Sequence, residues 1–239
     1  MVSSINYWAV VPAAGVGARM GAECSKQYLP LCGKPIIEHS LRRLYTHDKI
    51  AGVVVALAPE DDYGTKLLEK LAWRDKPLIQ VNGGAERCHS VLNALRRLSE
   101  FAEPHDWVFV HDAVRPCLRH EDIDKLIHAV EHHSDGALLG LRVSDTVKRV
   151  AGSGEVLETL RRDELWRAQT PQLFQLEALT AAMSRTIEQK LHVTDEAAAM
   201  ALNGAVPRMV EGHADNIKIT HFADLVLAQF YMEQQETGA

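Results

Sequence analysis

The chain has little that would staple or anchor it. Its 239 residues contain four cysteines, Cys24, Cys32, Cys88 and Cys117, and no two of them form a C-x-x-C pair. That spacing argues against a structural zinc site, and in a chain of this length the cysteines read as reduced thiols rather than a disulfide framework. No apolar run reaches the roughly 18 residues that mark a spanning helix. The opening MVSSINYWAVVPAAG lacks a basic start followed by a long apolar core. The expectation is a soluble, cytoplasmic protein that makes no membrane contact. Positive charge is also scarce, with 26 Lys and Arg against 32 Asp and Glu for a net charge of −6. That excludes a nucleic-acid binder working through a broad basic surface, but leaves room for a small anion held by a few placed cations. Repeats, low-complexity tracts and linkers are missing too, so one domain spanning 1–239 is expected.

What is present is a rhythm. Apolar, β-branched runs at 5–12, 50–59, 77–81, 106–113 and 136–143 read as strands. Between them, 34–46, 60–72, 85–99 and 121–133 carry apolar residues at helical spacing, as do 175–190, 194–203 and 221–235 further on. The alternation predicts an α/β fold, a doubly wound, mostly parallel Rossmann-like sheet with right-handed crossovers. Ligands of such sheets bind beyond the carboxyl ends of the strands. The rhythm breaks at 144–162, where TVKRV and EVLETL flank AGSG. This reads as a β-hairpin with polar faces, a protruding arm at about 142–163 that needs a partner to bury it.

Residues 10–31, VVPAAGVGARMGAECSKQYLPL, leave the first strand through a loop holding Gly15 and Gly17, then present Arg19 and Lys26. Consecutive backbone N–H groups in such a loop wrap phosphate, and the two cations do not belong to the buried strand. The spacing is neither a dinucleotide fingerprint nor a P-loop, and by itself a plain turn explains it as well. Asp112 and Arg115 lie in HDAVRPC at the end of a later strand and face the same crevice; a structural Asp–Arg pair is the plain alternative. Thr194, before DEAAAM, reads as a helix N-cap. His128 and His132 stand one turn apart beside His133, with no third metal ligand evident, and read as a solvated face. His111 reads as a hydrogen-bonding residue, and Trp73, Trp107 and Trp166 as core or edge residues rather than a base-stacking platform.

PAAGxGxRM, KQYLPLxGKPIIEHSL, NGGAERCHSV (82–91), HDAVRPC (111–117), LWRAQTPQLF (165–174), TDEA (194–197) and NIKIT (216–220) occur in this order over nearly the whole chain. Together they resemble the 2-C-methyl-D-erythritol 4-phosphate cytidylyltransferase family of nucleotidyltransferases in the non-mevalonate isoprenoid pathway. The resemblance implies transfer of a cytidylyl group from CTP to a sugar-alcohol phosphate, with Mg²⁺ held mainly by the nucleotide phosphates and no dedicated protein metal site. It implies that Arg19, Lys26 and Lys218 clamp the triphosphate, that Ala13, Ala14 and Gly15 cradle the nucleotide, and that Gly84, Ala85 and Ser90 line the cytosine pocket. Asp112, Arg115, Thr146, Thr170 and, secondarily, Thr194 are implied on the acceptor side. Arg162, at the base of the arm, is implied to reach the site of a second copy in a homodimer clasped through the arms. The sequence departs from the family pattern at Ala85, where Asp is common, and at His89. Two other readings stay open at this point: a cytidylyltransferase for another polyol phosphate such as ribitol 5-phosphate, and a non-catalytic nucleotide binder.

Overall fold

The computed structural model describes residues 5–15, 25–71, 73 and 75–237. The first part of the chain runs β1 (Tyr7–Pro12), a 3-10 turn (Lys26–Tyr28), β2 (Pro30–Leu31), β3 (Lys34–Pro35), α1 (Ile36–Tyr45), β4 (Ile50–Leu57), α2 (Asp62–Leu71), β5 (Leu78–Asn82), α3 (Arg87–Leu98) and β6 (Trp107–Val110). Then follow α4 (His120–Glu131), β7 (Ala137–Arg142), β8 (Lys148–Val150), β9 (Val156–Thr159), a 3-10 turn (Arg162–Glu164), β10 (Trp166–Gln175), α5 (Leu176–Glu188), α6 (Glu196–Leu202), β11 (Arg208–Glu211) and α7 (Phe222–Thr237).

Seven strands make one sheet in the order β11-β7-β10-β6-β1-β4-β5. Its pairings are parallel except for the two that β10 makes with β6 and β7. The strand period of two splits the core between the faces. Ala9, Val11, Val53, Val55, Leu57 and Phe109 point to a layer built with α1, α2 and α4. Trp8, Val10, Val54, Ala56, Val108 and Val110 point to the opposite layer with α3, α5 and α6. Strands covered on both faces read as continuous apolar runs, which is why β1, β4 and β6 were legible. A smaller cluster seats α7 through Ala228 and Met232 against Leu31, Ile36 and Val114.

The strand order fixes where a ligand fits. From β1 the chain continues to β4 on one side of the sheet, and from β6 it continues to β7 on the other. The crevice between β1 and β6 is the switch point of a doubly wound sheet.

Three features depart from expectation. The cap of α6 is Asp195, not Thr194: Asp195 has extended backbone and its carboxylate accepts from the Ala198 N–H at 2.9 Å. The carboxylate stands one residue closer to the helix and satisfies the orphan donor there, so the threonine has no capping bond to make. The β8–β9 hairpin is present as an antiparallel pair. Its faces are not uniformly polar, however: Val150, Val156 and Leu157 are more than half exposed. Beside His128 and His132, Glu131 supplies the third candidate ligand that the helical spacing hid, and all three are exposed.

Candidate active site

A cleft of about 470 Å³ opens at the switch point. Its floor is the end of β1, Pro12 to Gly15; one wall is Gly84 to Arg87 with Ser90, and the other Asp112 to Val114 with Lys218 and Thr220. Lys26 and Gln27 complete its lining. A second, smaller hollow of about 150 Å³ shares Arg87, Asp112 and Lys218 and continues past Arg115, Thr170 and Thr194.

The floor is held by backbone. Ala13 N–H donates to the Ala56 carbonyl at 2.8 Å, and the Gln27 amide donates to the Ala13 carbonyl at 2.9 Å. Gln27 is nearly fully buried, so the 3-10 turn that carries Lys26 is pinned to the strand end it follows in sequence. Gly83 lies where a side-chain carbon would stand 2.4 Å from Ala14 Cβ, so only glycine brings the 82–86 loop this close to the floor. Ser90 turns back into its own loop: it accepts from Gly84 N–H at 3.0 Å and donates to the Glu86 carbonyl at 3.2 Å.

Asp112 is the electrostatic centre. Its carboxylate meets Lys218 at 2.9 Å, Arg87 at 3.1 Å and Arg115 at 3.4 Å. Burial opposes ionisation there, but the charges of Arg87, Lys218 and Arg115 outweigh it and hold the carboxyl far below its usual range. Arg87 is anchored from both ends, with Nη1 and Nη2 donating to Glu196 at 2.6 and 3.2 Å and Nε to Asp112. Burial works against its charge, yet Glu196 and Asp112 raise its pKa above the ordinary value. Arg115 also donates to the Asn216 carbonyl at 2.8 Å. The structural Asp–Arg pair and a site position therefore coexist in HDAVRP.

Behind Asp112 lies a relay of neutral groups. Asp112 N–H donates to the Thr170 hydroxyl at 3.0 Å, and that hydroxyl meets His111 Nδ1 at 3.1 Å. His111 Nε2 lies 3.1 Å from the Arg115 carbonyl. A carbonyl only accepts, so Nε2 carries the proton and Nδ1 receives the threonine O–H. Burial pushes this imidazole down to about 4.

Of the sequence-predicted residues, Ala13, Ala14, Gly15, Lys26, Gly84, Ala85, Ser90, Asp112 and Lys218 line the larger cleft. Arg115, Thr170 and Thr194 line the smaller hollow. Thr146 and Arg162 line neither; both are exposed at the base of the arm, where Arg162 donates to the Ser144 carbonyl at 2.5 Å. Arg19 lies outside the described residues. Arg87 and Gln27 are the residues that sequence reasoning missed. Each sits inside a quoted motif, but nothing local marks a side chain whose partners are about 109 and 14 residues away along the chain.

Residues 7–234 match the model of the family described as 2-C-methyl-D-erythritol 4-phosphate cytidylyltransferase. The chain belongs to that family. A cytidylyltransferase of this name from Aeromonas hydrophila is 51% identical over 95% of this chain and 90% of its own length. One from Hahella chejuensis is 46% identical over 96% and 94%. The crystal structure of the Francisella tularensis cytidylyltransferase superposes with a TM-score of 0.80 at 35% identity, covering 95% of this chain and 99% of that one. At the position where the cytidylyltransferase pattern commonly carries Asp, this family member lines its cleft with Ala85, which leaves the backbone alone to make any hydrogen bond there.

Proposed function

We propose that this chain transfers the cytidylyl group of CTP to 2-C-methyl-D-erythritol 4-phosphate and releases pyrophosphate. A phosphate oxygen of the acceptor attacks the α-phosphorus. The new P–O bond forms as the bond to the bridging oxygen breaks, and that oxygen leaves with the pair as pyrophosphate. The acceptor phosphate is already anionic, so the site needs cations and positioning more than a general base. The observation that carries the reading is that Lys26 and Lys218, 192 residues apart in sequence, line one cleft with the glycine-rich 82–86 loop.

Lys26 and Lys218 act on the triphosphate in this reading, joined by Arg19. The pairing of Lys218 with Asp112 leaves its other ammonium hydrogens for phosphate oxygens. Arg115 and Thr170 face the acceptor from the smaller hollow, and Thr194 stands at its edge. Gly84, Ala85 and Ser90 shape the space for cytosine. The acidic residues lining the larger cleft are Glu86 and Asp112, and Asp112 is already ringed by cations. That donor set suits Mg²⁺ arriving on the nucleotide phosphates, where it would neutralise their charge, rather than a resident ion. Thr146 and Arg162 serve the site of a second copy in a homodimer clasped through the arms. A cytoplasmic location fits a chain in which no described helix is long and apolar enough to cross a membrane.

Pyrophosphate release from CTP, measured with methylerythritol phosphate and ribitol 5-phosphate side by side, tests the reading. Turnover is expected with the first acceptor, and preference for the second overturns it. Lys26→Ala and Lys218→Ala are each expected to lower kcat on the order of 100-fold or more with the circular dichroism spectrum unchanged. Undiminished turnover in either variant removes that lysine from the chemistry.

A further inference from the structure

Beside the wall assigned to cytosine, Glu86, Cys88 and His89 form a constellation that nucleotide transfer does not use. Cys88 Sγ lies 3.6 Å from Glu86 Oε2 and 3.7 Å from His89 Nδ1. One ligand atom from each of Glu86, Cys88 and His89 lies within 4.8 Å of the other two. Zinc bonds of about 2.3 Å to sulfur and about 2.0–2.1 Å to nitrogen or oxygen, at a tetrahedral angle, put sulfur roughly 3.6 Å from either partner. The two sulfur separations match edges of a tetrahedral site, and the third, from Glu86 to His89, lies within 4.8 Å.

We propose that Glu86, Cys88 and His89 bind one borderline-soft divalent cation of the zinc class at the mouth of the cleft, and that its occupancy weakens CTP binding. The donor set of thiolate, imidazole and carboxylate selects zinc-like ions over Mg²⁺, which prefers oxygen alone. The cation sits at the start of α3, where the helix dipole opposes it. The same dipole favours the thiolate and the carboxylate, whose two negative charges neutralise a divalent ion. Arg87 is turned away onto Asp112 and Glu196 and does not compete. Binding releases the thiol proton of Cys88 to solvent. The link to the cleft is steric and direct. Glu86 lines it, and His89 Cβ packs 2.4 Å from where a side-chain carbon on Gly84 would stand. An ion held by Glu86 and His89 therefore sits against the wall assigned to cytosine and narrows the space for the base.

The binding half is independent of the proposed activity; the coupling to CTP rests on it. Calorimetric titration of the full chain with Zn²⁺ is expected to show one ion per chain bound through this site, and Co²⁺ to give a thiolate charge-transfer band. Cys88→Ser should abolish that band, and Cys88→Ser and His89→Ala should each weaken Zn²⁺ by more than the roughly 10–100-fold that loss of an outer-shell partner costs. His128→Ala, in the exposed cluster on α4, should change neither. Zn²⁺ is expected to raise the KM for CTP in the unaltered chain and not in Cys88→Ser, whose metal-free turnover stays unchanged. Equal Zn²⁺ affinity in Cys88→Ser and the unaltered chain overturns the site. Zn²⁺ bound through Cys88 with no change in the KM for CTP overturns the coupling.

Discussion

His111 never reaches the cleft, yet it supports the backbone of the residue that organises it. Buried between the Thr170 hydroxyl and the Arg115 carbonyl, it stays neutral down to about pH 4 in the folded chain, against an ordinary value of 6.5. The unfolded chain therefore binds more protons than the folded one between these values, and stability rises with pH across that window. The contribution is complete above about pH 6.5 and is lost as pH falls toward 4, amounting to about 3 kcal/mol at roughly 1.4 kcal/mol per unit. Urea midpoints at pH 7 and pH 4.5 are expected to fall further apart in the unaltered chain than in His111→Gln; equal differences contradict this assignment. Asp112, with a depressed carboxyl, loses its contribution only in stronger acid, so it does not mimic this slope. Asp112, Arg115 and Lys218 were legible because each lies in a motif at a strand end or in a polar block. Arg87 was not, because its place depends on Glu196, which arrives from a helix late in the chain.

At the scale of elements, boundaries were clearest where burial and period agreed, as in β4 and α3. They failed where tertiary pairing overrides local pattern. β10 carries WRAQTPQLFQ, a polar stretch with an internal proline, yet it lies between β6 and β7. Its register jumps from Ala168 opposite Gly140 to Gln172 opposite Leu138. The extra residues take Gln169 and Thr170 out of the ladder, and Thr170 reaches Asp112 from there. A motif that builds a site this way does not alternate like a strand. The β2–β3 turn was hidden differently: Cys32 and Gly33 both have positive φ, a hairpin turn without the usual Asn or Asp before its glycine. The start of α6 is the testable case. Asp195 caps it and also accepts from the Gln172 amide at 3.0 Å, tying α6 to β10. Asp195→Ala is expected to lower stability by about 1–2 kcal/mol. Thr194→Ala should stay within about 0.5 kcal/mol of the unaltered chain. Denaturant midpoints showing the reverse order would return the cap to Thr194.

At the scale of the whole molecule, the arm is a part that does not close on itself. A two-stranded hairpin is marginal in water unless its apolar face is covered. Here β8 and β9 are exposed along their length, with Val150, Val156 and Leu157 at 52%, 61% and 58% exposure. Arg149–Glu158 at 3.0 Å and the Lys148–Thr159 contact fix the pairing within the hairpin but cover none of these side chains. Each is worth roughly 1.5–3 kcal/mol on full burial, enough for two arms to hold one another. In the proposed clasp this apolar strip joins the copies, while Arg162 and Thr146 at the base contribute to the neighbour's site. The two roles separate by mutation. Val156→Ser with Leu157→Ser is expected to shift sedimentation from dimer to monomer and to lower turnover at dilute protein. Arg162→Ala is expected to leave sedimentation unchanged and to raise the KM for the acceptor phosphate while that for CTP holds. A double serine variant that stays dimeric moves the interface off the arm, and an Arg162→Ala enzyme with unaltered acceptor KM confines each site to one chain.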